Sequence, residues 1–222
     1  MQKMNFSEYT NKNSEEVLGA LESRVSGLSK KEISQRQEKF GFNEIKAKGV
    51  SALNVLRRQL RSPFTYLLFA AALIAFFIGE KIDFFVITAA VLINVALGFF
   101  QEYKAERAIY FLRKYISQNV KVLRQSKEEL VDRKNLVCGD IVLLEAGDRV
   151  PADLRLLKAE NFLADESALS GESVPVAKSA DVLPLKTSEV FKAKNILFAG
   201  TMVVSGKAEG VVINIGKNTA FG

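Results

Sequence analysis

The chain has no histidine, no tryptophan, one cysteine and four prolines among its 222 residues. Each scarcity closes off a chemistry. Without histidine there is no Ser-His or Cys-His nucleophilic pair. With Cys138 alone there is no internal disulfide and no zinc framework of the paired-cysteine kind. Cys138 reads as a small, partly buried residue beside Gly139. A phosphate-cradling loop is missing too. The run 200–207 ends in Gly206-Lys207, but its spacing is one residue too long, and Ala208 stands where serine or threonine is required. Residues 205–207 read instead as a hairpin loop.

Charge is absent from two stretches, residues 62–79 and 84–101, each 18 residues long. Only Glu80, Lys81 and Asp83 carry charge between them. Each run is near the lower length that crosses a bilayer as a helix, so the pair predicts a tight membrane-spanning hairpin. Arg57, Arg58 and Arg61 on one side, and Lys104, Arg107, Arg113 and Lys114 on the other, place both outer ends in the cytoplasm. The net charge of +6 is unevenly placed: residues 1–61 hold 12 basic against 7 acidic side chains, and residues 135–222 hold 9 against 11. The basic excess flanks the apolar runs and makes no general nucleic-acid footprint. Residues 1–20 are polar with no apolar core, so they do not read as a signal peptide.

Pro63 suits the first turn of a helix. Ala70, Ala71, Ala72 and Ala75 allow a close helix neighbour, and Asn94 reads as a hydrogen-bonding group inside the second run. Beyond residue 101 the helical pattern continues with charge, placing Glu102, Glu106 and Tyr110 on one face of a stalk. Residues 14–24 and 29–40 predict two short helices, the second with a Ser29/Glu32 capping box and a Gly41 stop. From Val120 the periodicity changes to short β-like runs at 120–124, 140–144, 154–157, 196–198, 201–204 and 211–215. These predict a compact distorted jelly-roll or barrel. The expected organisation is a multi-domain membrane protein: a helical N-terminal element at 1–61, a transmembrane hairpin with stalk at 62–116, and a mainly-β domain at 117–222.

The most informative stretch is residues 165–178, Asp-Glu-Ser-Ala-Leu-Ser-Gly-Glu-Ser-Val-Pro-Val-Ala-Lys. It sets Glu172 on a glycine-containing turn between Ser170 and Ser173. Gly171 frees the backbone to turn, and Pro175 stiffens the exit. A rigid loop presenting one carboxylate can orient a water or accept its proton. Upstream runs Gly139-Asp140-Ile141-Val142 through Gly147-Asp148-Arg149-Val150-Pro151-Ala152-Asp153-Leu154-Arg155. Downstream lie Phe198-Ala199-Gly200-Thr201, Ser205-Gly206 and Gly210-Val211-Val212. Asp140, Asp148 and Asp153 read as turn-stabilising residues.

These residues, in this order, resemble the actuator domain of P-type ATPases, cation pumps that pass through an aspartyl-phosphate, and most of all its calcium-pump-like branch. Ser170 stands where that loop usually begins with threonine, keeping the hydroxyl and losing a methyl. The Gln-Glu-x-x-Ala-Glu-x-Ala pattern from Gln101 resembles the family's second helix, and residues 27–44 its N-terminal element. The resemblance implies Glu172 as the catalytic side chain for phosphoenzyme hydrolysis, with Ser170, Gly171 and Ser173 positioning the loop and Asp165 and Glu166 supporting it. It implies ATP and Mg2+ as cofactors of a full pump at sites outside this segment, with no cofactor or metal residues here. The implied partners are the phosphorylation and nucleotide domains, the lipid bilayer and a transported cation, with no nucleic acid. The implied location is the cell membrane, multi-pass, with the N-terminus and β domain cytoplasmic. Calcium is the expected cation, with magnesium, sodium and protons as alternatives. The family's Asp-Lys-Thr-Gly-Thr segment is absent, so a truncated gene product or incomplete reading frame is expected, unable to hydrolyse ATP alone. Two other readings are a membrane-anchored regulatory fragment and a soluble β module with a helical core.

Overall fold

The structure is a computed structural model that describes residues 6–44, 51–115, 119–171 and 174–220. Two compact units emerge, one formed by residues 1–46 together with 117–222, the other by residues 47–116. The two parts of the first unit lie far apart in sequence, separated by the second unit. What unites them is what the N-terminal residues cover.

In the first unit, seven strands among the described residues form one antiparallel sheet: β1 (Asn119–Arg124), β2 (Lys127–Asp132), β3 (Ile141–Glu145), β4 (Asp153–Asp165), β5 (Val176–Ala177), β6 (Ile196–Leu197) and β7 (Met202–Asn214). The order is β2-β1-β3-β7-β4-β5, with β6 also on β4. Val120, Val122, Val142, Leu144, Leu154, Leu156 and Val212 fill the main core. A helix α1 (Ser14–Ala20) and its flanks bring Tyr9, Val17, Leu18 and Leu21 against Ile196, Phe198, Val211 and Ile213, a second cluster that neither segment could bury alone. Asn43 completes the attachment: its side chain donates to Pro151 O at 3.0 Å and accepts from Gly216 N at 2.8 Å.

Local signals hold where they are local. Helix α2 (Lys30–Phe40) opens with the Ser29/Glu32 capping box and ends at Gly41, whose φ is 80°. One sequence expectation fails. Residues 205–207 are no hairpin loop: they lie inside β7, which runs unbroken alongside β4. Gly206 has φ +83°, and a Cβ there would stand 2.3 Å from Glu160 O. The glycine serves a bulge facing Asn161 (φ 48°), where the β4/β7 register shifts. The tight hairpin is instead β1–β2, turned by Gln125 and Ser126 at φ 50° and 60°. Asp140 and Asp153 are fully buried, and Asp140 holds the turn before β3, its Oδ2 accepting from Val137 N at 2.9 Å. Asp140 takes a two-pronged ion pair from Arg124 at 2.7 and 2.9 Å, and Asp153 accepts from Ala199 N and Ala220 N at 3.0 and 2.8 Å. Cys138 is buried, and desolvation pushes its thiol up to about 11.

The second unit holds α3 (Ala52–Leu60), α4 (Pro63–Ile78) and α5 (Lys81–Tyr115). Pro63 starts α4, and Gly79 in the left-handed region ends it. Thr65 and Ala72 are buried on α4, with Ala71 and Ala75 half-buried. Asn94 is exposed on α5. The two uncharged runs are helical, and the second continues unbroken into the charged stalk. Residues 81–109 form one helix long and apolar enough to cross a membrane; α3 and α4, bent by 57°, meet the same test only as a pair. Arg58 pairs with Glu102 at 2.8 Å and with Glu106, fixing α3 to the stalk portion of α5.

Candidate functional site

The loop that carries the serine-glycine motif leaves the sheet at the end of β4 and returns to it through β5. Leu163 and Ala164 pair with Ala177 and Val176, so entry and exit are held side by side by backbone hydrogen bonds. Between them, α6 (Ser167–Ser170) makes a single helical turn closed by Gly171 at φ 73° and ψ −4°. Gly171 N donates to Ser167 O at 2.7 Å. The left-handed conformation needed at this position explains the glycine. Asp165 caps the turn from outside, its Oδ1 accepting from Ser167 N at 2.8 Å. Hydrogen bonds from the Ser167 side chain and N–H hold the Asp165 carboxyl below its ordinary range.

Beneath the turn sits a buried ion pair. Glu166 Oε1 lies 2.5 Å from Lys178 Nζ, with side chains 2% and 0% exposed. The ammonium also donates to Ile196 O at 3.0 Å and Ala193 O at 3.3 Å, and stands 5.4 Å from the centre of the Phe198 ring. Burial pushes the Glu166 carboxyl up and the Lys178 ammonium down, each partly opposed by the other's charge. Residues 166 and 178 bracket the loop, so this contact staples its two ends where no water competes. The side chain of Ser170 and the whole of Glu172 and Ser173 lie outside the described residues. The structure therefore brings together Asp165, Glu166 and Gly171 of the residues singled out in the sequence.

Sequence reasoning missed two supports. Lys178 closes the motif, but nothing in its spacing marks it as the partner of Glu166. Arg155 is fully buried in β4 and donates to Tyr9 O and Lys12 O at 3.0 Å and to Ala180 O at 3.2 Å. It ties the N-terminal segment and the irregular stretch after β5 to the sheet, and burial lowers its pKa to about 10. A lone arginine between Leu154 and Leu156 was the available signal.

The class defined by these features is an antiparallel β domain that carries one stapled, glycine-turned loop and is split in sequence by an apolar helical hairpin. Residues 114–222 match the family model of the P-type ATPase actuator domain, and residues 9–75 match that of the cation transporter/ATPase N-terminus. The chain belongs to the P-type ATPase family. It is 40% identical over 201 residues to a calcium-transporting ATPase of Bacillus subtilis, covering 90% of this chain and 23% of that protein. It is 38% identical to the mouse calcium-transporting ATPase type 2C member 1, over 93% of this chain and 23% of that one. It is likewise 38% identical to a sodium/potassium exporting P-type ATPase of Schizosaccharomyces pombe, over 91% of this chain and 20% of the relative. The chain thus spans about a quarter of the length of the curated relatives it matches.

Proposed function

We propose that this segment is the front part of an ATP-driven cation pump, and that its loop promotes hydrolysis of the pump's aspartyl-phosphate intermediate. The observation that supports this most is the staple: a loop clamped by β4–β5 pairing and by Glu166–Lys178, inside the stretch that matches the actuator family. A clamped loop keeps its tip in one geometry when the domain moves as a rigid body onto a phosphorylated partner domain. Glu172 would then orient the attacking water and accept its proton. Ser170, Gly171 and Ser173 would fix the turn, with Asp165 and Glu166 as positioning residues. ATP and Mg2+ would be used at sites outside this segment, by phosphorylation and nucleotide domains of the complete pump.

The hairpin of α4 and α5 would cross the cell membrane. Its surface favours that reading: Leu67, Phe77, Ile78, Ile82 and Phe85 are all at least 67% exposed, a surface that lipid covers at no hydrophobic cost. The basic flanks would keep the N-terminus and β domain cytoplasmic. Calcium is the proposed cargo, supported by the names of two of the relatives described above. The sodium/potassium exporter keeps monovalent cations as the competing reading.

The test is cation uptake by inside-out vesicles from cells that express the complete gene. ATP-dependent calcium accumulation, with an acid-stable phosphoenzyme that forms only with calcium, is the expected result. Uptake of sodium or potassium alone would overturn the cargo assignment. A protein that forms no phosphoenzyme with any cation would overturn the pump itself.

A further inference from the structure

Helix α3 is fastened to α5 along one side and leaves two other sides uncovered. Val55 is buried and Gln59 half-buried, and the Gln59 side chain donates to Glu102 at 2.7 Å, so this side lies on α5. Arg58 reaches the same stretch of α5 through Glu102 and Glu106. Leu53, Leu56 and Leu60 follow the spacing of a single helical face and are 74%, 37% and 50% exposed. Arg57 and Arg61, one turn apart beside that ridge, are both exposed. Their side chains make no hydrogen bond or ion pair among the described residues.

The break that follows α3 is built. Ser62 N and the Thr65 hydroxyl donate to Gln59 O at 3.2 and 3.0 Å, and Pro63 starts α4. The two helices meet at 57°. With 16 residues α4 is about 24 Å long, against about 30 Å of bilayer hydrocarbon. A hairpin that crosses the membrane therefore sets this break at the boundary of acyl chains and headgroups. A positive-inside bias explains basic residues near a span. It does not explain two unpaired guanidinium groups sharing one side of a helix next to a row of exposed leucines. That arrangement fits a surface with apolar chains beneath and anionic oxygens above. We propose that α3 is an interfacial anchor, its leucine ridge in the acyl boundary and Arg57 and Arg61 on the phosphates of anionic lipids. It rests on the reading that α4 and α5 cross the membrane.

The chain contains no tryptophan, so single replacements report depth without background. Leu53→Trp, Leu60→Trp and Phe69→Trp are each made in the 222-residue chain and reconstituted in mixed phosphatidylcholine and phosphatidylglycerol vesicles. Lipids brominated at shallow or deep acyl positions then quench the fluorescence. Phe69, exposed in the middle of α4, should respond most to deep bromines. Leu53 and Leu60 should both respond, and most to shallow ones, whereas an α3 continuing straight from α4 would lift Leu53 about 10 Å above Leu60. Brominated phosphatidylglycerol diluted into unlabelled phosphatidylcholine gives the headgroup preference at Leu60→Trp. A preference of about fivefold or more for phosphatidylglycerol is expected. It should vanish in Arg57→Gln with Arg61→Gln and survive in Arg57→Lys with Arg61→Lys. An unquenched Leu53→Trp, equal affinity for the two lipids, or an undiminished preference in the double glutamine variant would each overturn the proposal and leave the hairpin in place. Phe69→Trp unquenched by any brominated lipid would remove the hairpin reading and the anchor with it. Both arginines are exposed, so their replacement should leave the fold intact, which circular dichroism of the same samples checks.

Discussion

Glu166 and Lys178 are the residues on which the loop depends, and they show what a buried charge pair does. Moving two ions out of water costs several kcal/mol each, returned only by close geometry. Here the ammonium has one carboxylate and two carbonyls around it. Removing one partner strands the other. Glu166→Gln should destabilise the β domain by about 3–5 kcal/mol, whereas the double change Glu166→Leu with Lys178→Met should be nearly neutral. Urea unfolding of the three proteins measures both values. A single change that costs less than about 1 kcal/mol would show that the pair is not sealed from water. None of this was legible in one dimension. Glu166 was read as a support from its place in the motif, but its partner lies twelve positions on and meets it only because β5 folds back along β4. The buried partners of Asp140 and Asp153 were missed for the same reason: Arg124 comes from β1 and Ala199 from the turn after β6.

At the level of elements, a signal was readable when both halves of it lay within a few residues. The Ser29/Glu32 box, the Gly41 stop and Pro63 at the head of α4 all satisfy this condition, and all stand in the structure. Strand β2 escaped notice because it is an edge strand rich in charge, Lys127-Glu128-Glu129, as edges that must resist further pairing tend to be. The polar triplet at 205–207 misled for a related reason. Gly206 looks like a turn glycine, and its left-handed backbone would serve a turn, but its place is set by the opposing bulge at Asn161 forty-odd positions earlier. The conformation makes a sharp prediction. Gly206→Ala puts a methyl against Glu160 O and strains φ, so it should cost about 1–3 kcal/mol or more. A clear fall in thermal midpoint by circular dichroism is expected; an unchanged midpoint would mean that the β4/β7 bulge can relax.

On the scale of the whole molecule, the chain is a β domain interrupted by a helical hairpin. The composition divides it much as the structure does, because uncharged runs and β-like runs differ so strongly. The return of residues 1–46 to the sheet was not visible in composition. It depends on Tyr9, Val17 and Leu21 finding Phe198 and Ile213 across the chain. That closure matters for the proposed function. An actuator that swings as one body needs its N-terminal segment and its loop-bearing sheet to be a single packed unit, and Arg155 joins the two through carbonyls on both sides. Glu172 is then the only side chain proposed to touch the reacting water. The most direct test is to phosphorylate the complete protein with labelled ATP, stop further labelling with excess unlabelled ATP, and follow phosphoenzyme decay. Glu172→Gln should form the phosphoenzyme normally and lose it about a hundred- to ten-thousand-fold more slowly than the parent. Decay at the parental rate would contradict the account.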